Sequence, residues 1–325
     1  MSKRSSSVNK PTRLLLTVLL LLLTFLPLGC GEKQTGNDSV LYSFTDDLGR
    51  SVAINKKNAE EFRAAALIGS FADVWQLAGG RVYAAAGDAW SDFGLELDGA
   101  VNLGGAHSPN LEQLIASSPD LVLASASTSA DVEMMDALEN AGITAAYFDV
   151  NGIEDYLRML KICTDITGRD DLYEKNGLDV QKRVEEIKSD LAAANIPAER
   201  KKVLVLRAAS TFVKAKNSEG TVLGQMLFDL GCENIADSDE SLLENLSVES
   251  VLRDEPYHIF VVTMGSDTKA AIECFDRMVG ENPAWGSLAA IKENRVHHME
   301  KRLFNQKPNA RWDEAYEKLS EILKK

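Results

Sequence analysis

The sequence is poor in the residues that form disulfides and metal sites. Its 325 residues include four cysteines and four histidines, with no Cys-x-x-Cys pair. Apart from Cys30 near the N-terminus, the cysteines are Cys163, Cys232 and Cys274, an odd number. Neither a disulfide framework nor a zinc knuckle is therefore indicated, although a disulfide between Cys232 and Cys274 stays open for a protein in an export compartment.

Positive charge is in the minority. The chain has 35 Lys and Arg against 49 Asp and Glu, a net charge of −14. This acidic balance argues against nucleic acid or an anionic lipid surface as a partner of the folded part. A GxGxxG turn opening a helix, a P-loop, a nucleophile elbow and an HExxH motif are all missing from the sequence. Their absence disfavours nucleotide binding and the common hydrolase mechanisms.

One long apolar run is present, in residues 14–26, after a basic start from Lys3 to Arg13. A run of this length is too short to span a bilayer and has the layout of a secretory signal. The Leu-Pro-Leu-Gly-Cys sequence that ends at Cys30 resembles the bacterial lipoprotein box, in which the cysteine is lipidated. We therefore predict a protein on the extracytoplasmic face of the cell membrane, anchored through lipid on Cys30. The alternative is a plain signal peptide that is followed by a cysteine by chance.

The rest of the chain alternates short β-rich runs with helical patterns on both sides of one long amphipathic helix. In residues 171–194 apolar side chains recur at steps of three and four, and charged residues fill the other face. Strands alternating with helices predict mainly parallel sheets covered by helices. We therefore predict an α/β fold of two α/β lobes joined by one long rigid helix, with a ligand cleft between the lobes. The alternative is a crossover helix inside one large sheet.

These patterns also predict the domain organisation. The predicted parts are a lipoprotein signal peptide (1–29), a flexible tether (30–40), an N-terminal α/β lobe (41–168), the linking helix (169–196) and a C-terminal α/β lobe (197–325).

Candidate ligand-binding residues follow the predicted strands, because ligands of α/β sheets bind outside the carboxyl ends of the strands. Those of the N-terminal half are Ser70, Trp90, His107 and Ser127. Trp90 could stack on a flat ligand or anchor its loop on its own lobe. His107 could ligate haem iron or a bare metal, or be a loop residue without a metal. The serine hydroxyls could donate hydrogen bonds to a ligand or cap helices.

In the C-terminal half the candidates are Arg207 and Arg302, at or after predicted strand ends. A guanidinium group offers forked donors for carboxylate, catecholate or propionate oxygens. The alternative for each arginine is a surface ion pair.

Several segments resemble the substrate-binding proteins of ABC importers for ferric siderophores, haem and cobalamin. Asn110–Ile115 with Pro119–Val122 is similar to the family's helix and strand in the first lobe, and Ser247–Leu252 with Ile259–Thr263 is similar to their counterparts in the second. The segment from Pro283 to Val296 and the final amphipathic helix resemble the family's ending. The resemblance covers nearly all of residues 42–323.

The resemblance implies two lobes joined by a single long helix, with little hinge motion. It also implies docking on a permease through one exposed glutamate in each lobe, at the positions of Glu112 and Glu249. The alternative is that both are first-turn acids that interact favourably with the helix dipole. Related zinc and manganese binders use several histidines and carboxylates from both lobes, for which the four histidines here are badly placed. No metal site is therefore predicted.

The expected function is capture of a small-molecule metal chelate, either a ferric siderophore or a related iron or tetrapyrrole complex, and its delivery to an ABC permease with its ATPase. Haem or cobalamin binding is the alternative within the same fold, since Trp90 favours a flat macrocycle whereas Arg207 and Arg302 favour an anionic siderophore. A lipoprotein ligand sensor and a secreted chelatase or hydrolase are the alternatives from other classes. We expect a monomer without enzymatic activity and without an intrinsic cofactor.

Overall fold

The computed structural model describes residues 41–55 and 61–325. The predicted signal peptide, the tether and Cys30 lie outside these residues. The described residues belong to one compact unit, Ser39–Lys325. Among the described helices, none combines the length and the apolar composition needed to cross a bilayer.

A hairpin and a five-stranded parallel sheet form the N-terminal lobe. Its strands are β1 (Leu41–Thr45), β2 (Ser51–Asn55), β3 (Ala64–Ala66), β4 (Val82–Ala85), β5 (Val101–Asn102), β6 (Leu121–Ser125) and β7 (Ala145–Phe148). β1 and β2 pair antiparallel, as their alternation and the turn between them predict. The parallel sheet has the order β5-β4-β3-β6-β7. All residues of β3 and β6 are buried, which is typical of strands covered on both faces.

Helices cover this sheet. They are α1 (Gly69–Leu77), α2 (Asp88–Ser91), α3 (Leu111–Ala116), α4 (Ser129–Glu133), α5 (Met135–Asn140) and α6 (Ile153–Thr167). α6 ends at Gly168 in the left-handed conformation, with φ of 71°, which glycine adopts without steric strain. The carboxylate that caps its N-terminus belongs to Asp155, whose Oδ2 accepts from the backbone N–H of Gly152.

The linking segment is helical in three successive parts. α7 (Asp170–Tyr173) leads into one π-helical turn (Glu174–Leu178) and then α8 (Asp179–Ala193). The predicted long helix is thus present, with a local widening around Gly177. A Cβ at Gly177 would lie 3.1 Å from Cδ2 of Leu157 and 3.2 Å from Cδ2 of Leu160. Glycine therefore allows the linking helix to pack closely on α6.

A mixed five-stranded sheet forms the C-terminal lobe. Its strands are β8 (Lys202–Ala208), β9 (Val213–Lys216), β10 (Glu233–Asn234), β11 (His258–Thr263) and β12 (Val296–Met299). The parallel order is β10-β8-β11-β12, and β9 pairs antiparallel with β8. The helices are α9 (Val222–Asp229), α10 (Glu240–Asn245), α11 (Val248–Asp254), α12 (Thr268–Glu281), α13 (Ala289–Lys292), α14 (Lys301–Phe304) and α15 (Trp312–Lys324).

One hydrophobic core connects the two sheets. It contains side chains of both sheets together with α6, α8, α9 and α15. On α8 the buried face consists of Val180, Val184, Ile187 and Leu191, and α15 packs against this helix. Each large side chain buried in this way contributes about 1.5–3 kcal/mol to stability. The amphipathic period read from the sequence therefore marks the face by which the linking helix joins the core.

The three cysteines that the structure describes are buried and free. Cys232 and Cys274 are thus not paired, so the disulfide left open by the sequence does not form in this structure. Burial raises the pKa of the Cys232 thiol to about 12, which is typical of an unreactive small apolar residue.

Candidate functional site

Each lobe has a point at which its strand order reverses. In the N-terminal sheet this point lies between β3 and β6, and in the C-terminal sheet between β8 and β11. Loops that leave adjacent strands on opposite sides of such a point separate and open a crevice at the carboxyl ends. The two crevices contribute to the same cavity.

The cavity has a volume of about 810 Å³, within the range of small-molecule sites. Residues of both lobes line it. Its N-terminal wall includes Ser70, Asp88, Asn102, His107, Ser127 and Asn151. Its C-terminal wall includes Arg207, Thr221, Met264, Ser266, Lys301 and Lys307. The structure therefore brings together four of the predicted ligand-binding residues, namely Ser70, His107, Ser127 and Arg207.

Polar loops at the ends of β3 and β6 form the middle of the N-terminal wall. Ser70 is buried in the first turn of α1, and its backbone carbonyl accepts a hydrogen bond of 2.9 Å from Nδ2 of Asn309. The hydroxyl of Ser127 lies 3.2 Å from that of Ser125. Oδ2 of Asp131 holds this loop by accepting from the backbone N–H of Ser125 at 2.7 Å. Burial raises the pKa of Asp131 to about 7.

A close helix contact supports the neighbouring part of the wall. The backbone N–H of Gly69 donates to Oδ2 of Asp88 at 2.9 Å. A Cβ on Gly69 would lie 2.6 Å from the backbone nitrogen of Ala89, so only glycine lets α1 and α2 approach this closely. Burial, with a smaller contribution from Asp92, raises the pKa of Asp88.

Two cations of the C-terminal wall, Arg207 and Lys307, form no ion pair with the described residues. Arg207 stands near the end of β8, and its guanidinium group forms no hydrogen bond or ion pair with any residue in the described ranges. Its Nε atom is fully buried, and burial lowers the pKa of Arg207. Burial also lowers the pKa of Lys307, with the charge of Arg207 acting in the same direction and that of Asp149 opposing it. Cations withdrawn from water without a partner are unfavourable, so this wall is suited to an anion.

Sequence reasoning missed Lys307. It follows α14 in a loop without strand or helix character, so no local pattern marks it as facing a cavity. The third cation of this wall, Lys301, differs from it because Nζ of Lys301 is paired with Oδ2 of Asp92 at 2.8 Å. Asp92 also accepts from Nε2 of Gln306 at 2.6 Å. These contacts join the two walls at one end of the cavity and neutralise Lys301.

Arg302 has a different place from the one expected. Its Nη2 donates to Oδ2 of Asp73 on α1 at 2.8 Å, and its Nη1 donates to the backbone carbonyl of Lys307. The guanidinium carbon lies 3.9 Å from the centre of the Phe93 ring. Arg302 does not belong to the cavity lining, because these contacts hold its side chain between the C-terminal segment and α1. The geometry thus favours the ion-pair alternative.

Trp90 also lies outside the cavity lining. Its side chain is partly buried and packs against the hydrophobic core, which corresponds to the alternative of a loop anchor. Phe93, three residues after Trp90, is the only residue with a phenyl, phenol or indole ring among the described residues that line the cavity. The sequence pattern marked this segment, but it did not determine which aromatic ring points toward the cavity.

The two candidate docking glutamates occupy equivalent positions. Glu112 lies in the first turn of α3, which Asn110 caps through a 3.0 Å bond from the N–H of Gln113. Glu249 lies in the first turn of α11, which Ser247 caps through a 3.3 Å bond from the N–H of Ser250. Both side chains are exposed. Neither forms an ion pair with the part of the chain that the structure describes, so both are available to a partner.

A smaller cavity of about 490 Å³ lies in the C-terminal half alone, between β12 and α15. On the buried side of β12, Nδ1 of His258 lies 3.0 Å from Nε2 of His297. Burial, together with His297 and nearby arginines, lowers the pKa of His258 to about 4. In the described part of the chain no three His, Cys, Asp or Glu side chains are placed to hold a metal ion.

Comparison with known proteins gives a family match and several relatives for this chain. The family model described as periplasmic binding protein matches residues 65–303, more than half of the chain. The iron-uptake system-binding protein of Bacillus subtilis is 25% identical over 201 residues, which are 62% of this chain and 61% of that protein. The chain thus spans less than two thirds of this relative's length.

Solved structures share the fold. Staphylococcus aureus SirA complexed with staphyloferrin B is 20% identical, with a TM-score of 0.66 over 87% of this chain and 97% of SirA. Staphylococcus aureus IsdE complexed with heme is 17% identical, with a TM-score of 0.66 over 82% of this chain and 100% of IsdE. These similarities confirm the prediction of an α/β fold with two lobes.

Proposed function

The chain belongs to the periplasmic binding protein family, and from this premise we propose that it is the substrate-binding component of an ABC importer. Its ligand is an anionic ferric siderophore or a related iron complex, held in the cavity between the lobes. The observation that carries this proposal is a pair of cations on one wall of that cavity, Arg207 and Lys307, which form no ion pair with the described residues.

An anionic ligand supplies what the two side chains lack. A carboxylate or catecholate oxygen can accept charge-assisted hydrogen bonds from both, and the forked guanidinium of Arg207 can hold two oxygens at once. The opposite wall offers hydroxyl and amide groups from Ser127, Thr128 and Asn151, which can orient the remaining polar edges of a chelate. The site thus combines one charged anchor with several neutral hydrogen-bonding groups.

The names of the similar proteins support this ligand class. The Bacillus subtilis relative is named for iron uptake, and SirA is complexed with the siderophore staphyloferrin B. IsdE is complexed with heme, which keeps a tetrapyrrole as the second candidate, with cobalamin beside it. The cavity favours the siderophore, because a porphyrin needs extensive apolar contact and Phe93 is the only ring of its kind in the described lining.

The proposed function includes a location and partners. Lipid on Cys30 would tether the protein to the extracytoplasmic face of the membrane. Glu112 and Glu249 would meet basic residues of the permease, which works with an ATPase. The protein would act as a monomer that captures and releases its ligand without altering it chemically. A lipoprotein sensor would share the cavity but would not need the two exposed glutamates.

Native mass spectrometry of the purified protein tests the ligand class. The probes are anionic ferric siderophores, haem, cobalamin, Zn²⁺ and Mn²⁺, each offered separately. We expect one stoichiometric complex with a ferric siderophore. A complex with haem or cobalamin alone would assign the second candidate, and binding of Zn²⁺ or Mn²⁺ alone would contradict the proposal and direct attention to His107. Lipid labelling of the protein tests the anchor. The label should be lost in Cys30→Ala.

A further inference from the structure

A row of positive side chains continues from Arg207 across the β8–β9 pair. In the antiparallel register Arg207 is opposite Lys214, and Val205 is opposite Lys216. Directly opposite residues, and residues two apart along a strand, lie on the same face of a sheet. Arg207, Lys214 and Lys216 therefore share one face, and Arg207 lies on the cavity wall at one end of the row.

Within the described ranges, no ion pair offsets the repulsion in this row. Neither lysine forms an ion pair or a side-chain hydrogen bond with those residues. Glu219, on the loop after β9, is exposed and likewise forms no ion pair with them. Burial lowers the pKa of Lys216, and the charges of Arg207 and Lys214 lower it further. Like charges placed directly opposite on a strand pair are destabilising.

The location makes this arrangement informative. The whole chain carries a net charge of −14, yet none of these three cations forms an ion pair with the described residues. β9 pairs with β8 alone, so the row runs from the cavity toward an edge of the sheet. Lys214 is exposed, and its Nζ lies 5.6 Å from the centre of the exposed Phe212 ring. Lys214 is thus accessible to a ligand that extends out of the cavity, and Lys216 lies half-buried beside it.

We propose that Lys214 and Lys216 form a second anion-binding subsite that extends the cavity wall beyond Arg207, so that the cleft selects chelates with at least two separated anionic groups. This inference rests on the proposed function and specifies its ligand. One anionic group contacts Arg207 and Lys307, and another reaches the lysines of β9. A neutral chelate of similar size uses the hydrogen-bonding wall only and gains nothing from the row.

The test compares two probes on three proteins. The probes are a ferric tris-catecholate, which carries several negative charges, and a ferric tris-hydroxamate, whose iron centre is neutral. The proteins are the wild type, Lys214→Gln with Lys216→Gln, and a control in which the exposed Lys175 and Lys182 of the linking segment are changed to Gln. Both double variants change the net charge equally. Affinities are measured by fluorescence titration at low and at physiological salt, with thermal melting as a check of folding.

We expect the β9 variant to lose about tenfold in affinity for the polyanionic chelate, with a weaker salt dependence, while the control binds as the wild type does. Any affinity for the neutral chelate should be unchanged. Equal binding of the polyanion by wild type and β9 variant, or equal losses for both chelates, would overturn the second subsite and leave the proposed function intact. A wild type that binds the neutral chelate alone would overturn the second subsite and would also contradict the anionic ligand class of the proposed function. Failure of the wild type to bind any chelate would overturn both.

Discussion

The two walls of the cavity follow the same construction rule and have different chemistry. Each wall is made of loops at a reversal point in a parallel strand order. On the N-terminal wall, carboxylates are engaged by the protein, as Asp88 is by Gly69 and Asp92 by Lys301. On the C-terminal wall, Arg207 and Lys307 form no ion pair with the described residues. In the proposed function, the shared architecture positions the ligand, and the residues at the strand ends determine which ligand charge is favoured.

The proposed docking surfaces provide the opposite comparison, because there the two lobes are alike. Reversing the charge in Glu112→Lys together with Glu249→Lys should reduce import of the ligand by about tenfold or more, since like charges would then oppose a basic permease surface. Ligand affinity should be unchanged, because neither residue lines the cavity. Uptake of radioactive iron chelate in cells and titration of the purified protein measure the two effects.

The control for this prediction reverses two other exposed acids, Glu133→Lys and Glu244→Lys. Normal import by the Glu112/Glu249 variant would rule out their docking role and return both residues to the helix-dipole alternative.

The second comparison separates the two arginines predicted from the sequence. Arg302→Gln should lower the free energy of unfolding by about 1–3 kcal/mol, because it leaves the partly buried Asp73 without its ion pair. Affinity for the ligand should stay within about twofold of the wild type, because Arg302 lies outside the cavity lining. Urea denaturation and ligand titration measure both, with the exposed Arg277→Gln as the matched control. A large loss of affinity at full stability would place Arg302 in the site after all.

The third comparison concerns the pH dependence of stability. The N-terminal lobe buries an acid, Asp131, and the C-terminal lobe buries a base, His258. The pKa of Asp131 is raised to about 7, so between about pH 4 and 7 the folded state keeps a proton that the unfolded state releases. Stability should therefore fall as the pH rises through this window. The pKa of His258 is lowered to about 4, so stability should also fall as the pH decreases from about 6.5 to 4.

Two variants assign these slopes to their lobes. Asp131→Asn should reduce the loss of stability that occurs as the pH rises toward neutral. His258→Gln should reduce the loss of stability that occurs as the pH falls toward 4. Each change is on the order of 1–2 kcal/mol in the free energy of unfolding. Thermal melting from pH 4 to 8 measures them, with the exposed Asp136→Asn as a control. An unchanged profile in Asp131→Asn would mean that this carboxylate does not titrate in the window.

The smallest expected effect distinguishes charge from geometry on the C-terminal wall. Arg207→Lys keeps the positive charge and loses the forked donor, so affinity for an anionic chelate should fall by about three- to tenfold. A full loss would show that the bidentate geometry carries the binding, and no loss would show that charge alone suffices. Titration at two salt concentrations measures the change, and Arg277→Lys serves as the control.

The sequence predicted the fold and several of the residues that line the cavity, for a physical reason. The carboxyl ends of parallel strands meet at one edge of a sheet, so the positions after strands already marked Ser70, His107, Ser127 and Arg207 as neighbours of a cavity. Lys307 gives no such signal, because its position depends on the chain crossing back toward the N-terminal lobe after α14. Trp90 and Arg302 are close in sequence to residues that line the cavity. The direction of each side chain depends on a tertiary contact, with the hydrophobic core for Trp90 and with Asp73 for Arg302.

The most direct test of the cationic wall is the affinity of the double variant Arg207→Gln with Lys307→Gln for an anionic ferric siderophore that the wild type binds. Lys175→Gln with Lys182→Gln carries the same change of net charge away from the cavity. We predict that the first variant loses about a hundredfold or more in affinity at unchanged folding, while the second binds as the wild type does. Equal affinity of all three proteins would contradict the assignment of the C-terminal wall as the site that captures the anion.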